Sequence, residues 1–287
     1  MATEIYYFSG TGNSLAVARD ITEKINGKLI PIASVMYKDS IKSDVEVIGI
    51  VFPTYYEPYG GVPLIVRRFI AKLENIDSKY IFAICTYGSI SVNALNFLDE
   101  ILQSRGGKLI AGFTVNMPYN MGSSSLNSPQ KQQKMFRVWE ENLNIITEHI
   151  NSRREIQFDT PNVLAGKTHG LIKFIVTPLM FLFKPTTLRH LKRYHDLDNG
   201  SYDEMLPYMD RSFYTNDKCT GCGTCTRICP VKNIKLVNEQ PEWLHKCEFC
   251  LACFHWCLQE AIQSSELENT IRYHHPEVKI KDMLRQG

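Results

Sequence analysis

The sequence predicts an α/β protein: a five-stranded, doubly wound parallel sheet in the first half, followed by a small α+β domain near the C-terminal end. Three observations carry that expectation. Apolar, often β-branched runs alternate with amphipathic segments from Glu4 to about Asn151. The alternation then stops. Eight of the nine cysteines crowd between Cys219 and Cys257. Strands separated by helices imply parallel pairing, with the crossover helices covering the sheet. The chain has 287 residues, enough for about two domains. We divide it into residues 1–153, a connector over 154–213, and a cysteine-rich segment over 214–287.

Glu4–Phe8 is a short apolar run that ends at Ser-Gly. Asn13–Asn26 follows with helical spacing: Leu15, Ala18, Ile21 and Ile25 share a face, and Gly27 is the stop. Leu29–Ile32 reads as the second strand. Val45–Phe52 is nearly all apolar, as a strand buried on both faces should be. Pro63–Leu73 is amphipathic and opens on proline. Tyr80–Cys85 reads as a fourth, buried strand. Val92–Leu102 carries Leu95, Leu98 and Leu102 on one stripe, and Leu109–Val115 is the fifth strand. Ser128–Asn151 is a long helix with Met135, Trp139, Leu143 and Ile146 at helical spacing. Ligands of such sheets bind beyond the carboxyl ends of the strands, where the strand order reverses.

Composition narrows the function. Hydrophobic residues make up 44% and charged residues 22%, which excludes a largely disordered chain. The formal charge is +2, so no basic footprint for nucleic acid is expected. The first residues show no basic and apolar signal pattern. Leu171–Phe183 is apolar but short of a bilayer span and holds Lys173 and Pro178. A cytoplasmic protein is expected. Followed by Lys184, Arg189, Lys192 and Arg193, that run could lie on an anionic membrane surface. We prefer a helix packed between the two domains or covering a ligand.

The cysteines form two copies of one pattern. Cys219, Cys222, Cys225 and Cys229 read C-x2-C-x2-C-x3-C and are followed by Pro230; Cys247, Cys250, Cys253 and Cys257 repeat the spacing. A cubic [4Fe–4S] cluster takes one thiolate per iron, and in two-cluster proteins the fourth cysteine of each run serves the other cluster. That assigns Cys219, Cys222, Cys225 and Cys257 to cluster I, and Cys247, Cys250, Cys253 and Cys229 to cluster II. Gly221 and Gly223 suit a backbone that must approach a cluster closely. Structural zinc is the alternative, but zinc sites show separated C-x2-C pairs. Cys85, in a strand, reads as a core thiol. His245 and His255 read as exposed loop residues, and His274-His275 as loop.

Ser9-Gly10-Thr11-Gly12-Asn13-Ser14 joins the first strand to the first helix. It matches neither G-x-x-x-x-G-K-[ST] nor G-x-G-x-x-G, so a triphosphate or dinucleotide fingerprint is not expected. It does aim hydroxyls, amides and a helix N-terminus at one place, which suits a phosphate monoester. A plain Gly/Ser turn with a helix cap remains the alternative. Thr54-Tyr55-Tyr56 follows the third strand and Thr86-Tyr87-Gly88 the fourth. All three loops should emerge on the same sheet edge, and together they suit a flat aromatic ring. Gly60 or Gly61 could turn a backbone carbonyl toward it.

These residues carry two resemblances. Asp217–Ser264 resembles the bacterial two-cluster ferredoxins, including Cys-Pro after the first run and Ala261-Ile262 after the second. Leu258 departs from the proline usual there. Residues 3–152 resemble the flavodoxins, although Ser34–Asp44 is too short for the second sheet-flanking helix. The whole chain looks like the flavodoxin–ferredoxin fusion proteins of anaerobic bacteria and archaea. The resemblance implies FMN, with its phosphate on Ser9–Ser14 and its isoalloxazine between Thr54–Tyr56 and Thr86–Gly88, beside two [4Fe–4S] clusters. It implies an electron carrier converting between two-electron and one-electron steps, with a redox protein as donor or acceptor and no catalytic side chain. The alternative is an FMN-dependent reductase, its small substrate walled by Tyr55, Tyr56, Tyr87, Met117 and the connector. A membrane-associated redox subunit is a third class.

Overall fold

A computed structural model describes residues 2–89, 91, 93–156, 182–195 and 200–284. The apolar run at 171–181 lies outside the described residues. Five parallel strands form the main sheet: β1 (Thr3–Tyr7), β2 (Lys28–Pro31), β3 (Val47–Pro53), β4 (Tyr80–Tyr87) and β5 (Leu109–Asn116). Their order is β2-β1-β3-β4-β5, which is the flavodoxin-like order with its switch point between β1 and β3. Ile5 pairs with Leu29 on one side and Gly49 on the other, so β1 and β3 sit where both faces must be dry. Their sequences comply: Ile5, Ile48, Ile50, Val51 and Phe52 are fully buried.

Helices α1 (Asn13–Ile25), α2 (Leu64–Lys72), α3 (Ala94–Gln103) and α4 (Pro129–Asn151) cover the sheet. The face of α1 is buried through Leu15, Ala18 and Ile21. Its stop begins one residue earlier than the glycine suggested: Asn26 takes the left-handed conformation, and Gly27 N–H closes on Thr22 O at 2.9 Å. Among the described residues no α-helix stands between β2 and β3. A 3-10 turn (Ile32–Ser34) and a two-residue strand (Ile41–Lys42) fill that span. On α4, Trp139, Ile146 and Ile150 are buried, and Trp139 Nε1 donates to Asp20 Oδ2 on α1 at 2.6 Å.

The connector contributes α5 (Lys184–Leu191) and the turns Tyr202–Met205 and Leu206–Ser212. Beyond it lie two antiparallel pairs: β6 (Phe213–Thr215) with β9 (Ile262–Ser264), and β7 (Ile234–Val237) with β8 (Gln240–Trp243). The two halves share one apolar core: Ile228, Cys250, Ala252, Trp256 and Val278 pack into the cluster that holds Ile5, Val51 and Phe52. Among the described residues no helix is long and apolar enough to cross a membrane.

Candidate functional site

The three predicted loops meet. Ser9, Gly10, Thr11, Asn13 and Ser14 line one cavity with Thr54 and Tyr55 from the β3 loop and Thr86, Tyr87 and Gly88 from the β4 loop. Tyr56 lines the adjoining cavity, together with Tyr55 and Gly88. Gly12 lines neither; it turns the chain into α1 at φ 96°. Sequence reasoning named Met117 but missed Pro118, Tyr119 and Asn120, which close the first cavity from the β5 loop. Their signal was topological, because β5 ends on the same sheet edge as β1, β3 and β4. Gly60 and Gly61 both stand at positive φ, 89° and 70°. Gly60 has Phe97 where a side chain would go, and the Gly61 carbonyl accepts Tyr55 N–H at 2.9 Å.

The phosphate loop is tightly specified. Ser9 Oγ accepts Gly12 N–H at 3.1 Å, and Ser14 Oγ lies 2.7 Å from Thr86 Oγ1. Asn13 Nδ2 donates to Pro118 O at 2.9 Å. Among the described residues nothing accepts a hydrogen bond from the amides of Gly10, Thr11, Asn13 or Ser14. Buried donors without partners are costly, so a group rich in acceptor oxygens fits here. Among the described residues no lysine or arginine lines the cavity. Helix N-terminus and amides alone would balance the charge of a phosphate monoester. Burial pushes the phenols of Tyr55, Tyr56, Tyr87 and Tyr119 up, so all four stay neutral donors or flat walls.

The cysteines gather in two places. Cys219, Cys222, Cys225 and Cys257 line one cavity floored by Gly221, Gly223 and Leu236. Cys229 falls instead with the second run: its charge acts on both Cys250 and Cys253. Among the described residues, no three Cys, His, Asp or Glu side chains converge as they would on a single metal ion. Backbone amides already point at the sulfurs. Asn233 N–H donates to Cys229 Sγ at 3.2 Å, Phe249 N–H to Cys247 Sγ at 3.2 Å and Ala261 N–H to Cys257 Sγ at 3.3 Å. Burial pushes the Cys225 thiol up to about 11 and that of Cys250 up to about 12. Such buried sulfurs become thiolates only with a cation beside them, which iron supplies. Thr224, 3.4 Å from Cys222 Sγ, draws that exposed thiol down instead.

The two cysteine runs fold alike but with different residues. Gly221 and Gly223 take positive φ of 65° and 70°; in the second run Phe249 and Leu251 occupy the same places at 48° and 62°. A short helix follows each left-handed residue, Thr224–Ile228 and Ala252–His255. Leu258, where proline was expected, is 73% exposed.

The second run rests on the phosphate loop of the same chain. Trp256 Nε1 donates to Gly10 O at 3.0 Å, and the Cys250 carbonyl occupies the space a Gly10 side chain would need. Phe249, between two ligands of cluster II, lines the cavity beside Tyr55 and Tyr56. Glu248 reaches α2: its carboxylate accepts Ile65 N–H at 2.9 Å and pairs with Arg68. One expectation fails at this interface. His255 is buried, donating from Nε2 to Asn120 O at 2.8 Å and accepting Tyr273 N–H at 3.1 Å. The cause is the chain after β9, which returns across the loop. Tyr273 O–H donates to Asn13 Oδ1 at 2.6 Å, His275 N–H to Thr11 O at 2.9 Å, and Val278 packs on Gly12. His275 lies in a loop, as its sequence suggested, and is buried there.

Comparison with known proteins finds similarity at both ends of the chain. Residues 212–261 match the family model described as a 4Fe-4S dicluster domain. No curated protein matches the chain. Among solved structures, the two-electron reduced flavodoxin of Megasphaera elsdenii is 20% identical, covering 50% of this chain and 98% of its own, with a TM-score of 0.31. A Streptococcus pneumoniae flavodoxin is 14% identical over 51% of this chain and 99% of its own, with a TM-score of 0.32. An NADH:FMN oxidoreductase in its apo form is 14% identical over 58% of this chain and 97% of its own, with a TM-score of 0.38. The chain thus joins a sheet of flavodoxin-like strand order to a 4Fe-4S dicluster segment. All eight cysteines of the two runs fall inside the matched residues.

Proposed function

We propose that the chain is an electron-transfer flavo-iron–sulfur protein in which FMN occupies the cavity between the β1, β3, β4 and β5 loops and exchanges electrons with the two clusters. FMN carries one or two electrons and each cubane carries one, so the pair converts between two-electron and one-electron steps. The observation that carries this reading is the seating of Cys250 and Trp256 on Gly10: the loop that binds cluster II and the loop that suits a flavin phosphate are in van der Waals contact within one chain. The protein's own part is positional. Ser9, Thr11 and Ser14 hydroxyls and the loop amides would hold the phosphate. Tyr55, Tyr87 and Tyr119 would wall the ring. Trp256 and the residues after β9 exclude water from the loop.

Cluster I has the exposed Cys222 and cluster II the buried Cys250. Electrons from a partner redox protein would therefore enter or leave at cluster I and pass inward. Anaerobic reconstitution followed by spectroelectrochemical titration tests the reading. The expected result is one FMN and about eight irons per chain, four in each cubane, with flavin and cluster bleaching coupled in one sample. Flavin-free protein, or about half that iron, would overturn it.

A further inference from the structure

The phosphate cavity opens into a wider one beneath the connector. Tyr55, Tyr56, Tyr119 and Phe249 give it flat walls, and Met121 and Met209 are soft, apolar fillers. Among the described residues neither lysine nor arginine lines it, while Glu57 and Glu266 do, so a flat uncharged molecule fits better than an anion. Its polar lip is built from two distant parts of the chain. His190 on α5 has Nε2 at 2.9 Å from Glu266 Oε2, just beyond β9. Tyr194 O–H donates to the other carboxylate oxygen of Glu266 and lies 3.4 Å from Ser265 Oγ. Glu266 is thereby held on both oxygens, and it fixes the imidazole in turn. His190 Nδ1 makes no hydrogen bond to another described residue. The carboxylate holds one imidazole nitrogen in place and leaves the other for a second partner. A partly exposed pair of this kind contributes little to folding, so stability alone gives little reason for the arrangement.

We propose that His190, oriented by Glu266 and Tyr194, is the proton donor to a small, flat, uncharged acceptor with a conjugated carbonyl, bound against the aromatic wall. The inference rests on the reading that FMN fills the neighbouring cavity. In the step, the acceptor gains two electrons and two protons. Its π bond breaks and one C–H and one O–H bond form. The electron pair and the carbon-bound proton are those of the reduced flavin, recharged through the clusters by a low-potential one-electron donor. The oxygen-bound proton is that of His190, which the solvent at the cavity mouth replaces.

The test uses the full-length holoprotein with 4-hydroxybenzaldehyde as an inert probe and 2-cyclohexenone as a reducible one. Binding is read on the oxidised protein from the shift of the flavin absorbance, without turnover. His190→Ala is expected to weaken the inert probe about tenfold, the loss of one hydrogen bond. His190→Gln keeps a donor and should bind within about threefold of wild type. Single-turnover reduction of 2-cyclohexenone by the pre-reduced His190→Gln protein should nonetheless fall at least about 100-fold, the usual contribution of a general acid. Unchanged probe binding in His190→Ala, no flavin perturbation by either probe, or full-speed reduction in His190→Gln would overturn the inference. Flavin and iron are counted in every sample. Wild type lacking flavin would bring down the parent reading and this one with it, whereas flavin-replete protein indifferent to His190 brings down this one alone.

Discussion

Phe249 and Leu251 show how a side chain can outweigh its own backbone. Both stand at positive φ, where their counterparts in the first cysteine run are glycines. A non-glycine residue there costs about 1–2 kcal/mol. Leu251 is nonetheless buried in the apolar cluster of Phe213 and Phe254, and losing a buried leucine side chain costs about 2–5 kcal/mol. Packing wins. We therefore expect Leu251→Gly to destabilise the holoprotein despite the relaxed backbone, by about 1–3 kcal/mol in anaerobic denaturant titration. The reciprocal Gly223→Ala meets only ordinary contacts, with Leu236 Cδ1 3.6 Å from the added Cβ. Its loss should be confined to the backbone penalty of about 1–2 kcal/mol. If Leu251→Gly proved stabilising, the backbone and not the packing would dominate at the second run.

At the scale of elements, the stretch after β9 governs access to the phosphate loop. His275 sits in it against Phe136, ring centroids 4.7 Å apart, with its backbone on Thr11 O. Burial first, then the charges of Arg19 and His274, bring its imidazole down from 6.5 to about 4. Above pH 6.5 the ring is neutral whether the stretch is docked or released, and docking keeps its full strength. As pH falls from 6.5 towards 4, the released form takes up the proton first. Docking then weakens by up to about 1.4 kcal/mol per pH unit, and below 4 that contribution is gone. Flavin release, followed by the rise in free-flavin fluorescence, should accelerate over that window. His275→Gln should flatten the dependence. Removing residues 270–284 should release flavin at least tenfold faster at neutral pH; an unchanged rate would mean the loop holds its ligand without the covering stretch.

Much of this architecture could be read from residues alone, because its signals are local. Buried strands such as Val47–Pro53 announce themselves as apolar runs, and the cysteine spacing is set by the ligand geometry of a cubane. What escaped reading depended on contacts across long stretches of sequence. Nothing near His255 shows that Asn120 and Tyr273 will bury it. Nothing in Met117–Asn120 looks like a ligand loop until β5 is placed at the sheet edge. Positive φ at Phe249 and Leu251 was illegible because neither residue type favours it.

For the molecule as a whole, the crossing of the fourth cysteines makes a sharp prediction. Cys257→Ser should damage the cluster held by Cys219, Cys222 and Cys225, leaving cluster II and its coupling to the flavin intact. Cys229→Ser should do the reverse and uncouple the flavin. Electron paramagnetic resonance of the reduced proteins, with flavin reduction followed by stopped flow, separates the two cases. If Cys257→Ser altered the flavin-coupled cluster instead, the runs would each be holding their own cube.

The hydrogen bond from Tyr273 to Asn13 joins residues 260 positions apart. During synthesis the cradle at Asn13 leaves the ribosome long before Tyr273 exists, and at about 5–20 residues per second the gap lasts on the order of tens of seconds. Until then the loop at Asn13 would stand uncovered on the nascent sheet, and it is the far end of the chain, through Tyr273 and His275, that closes over it.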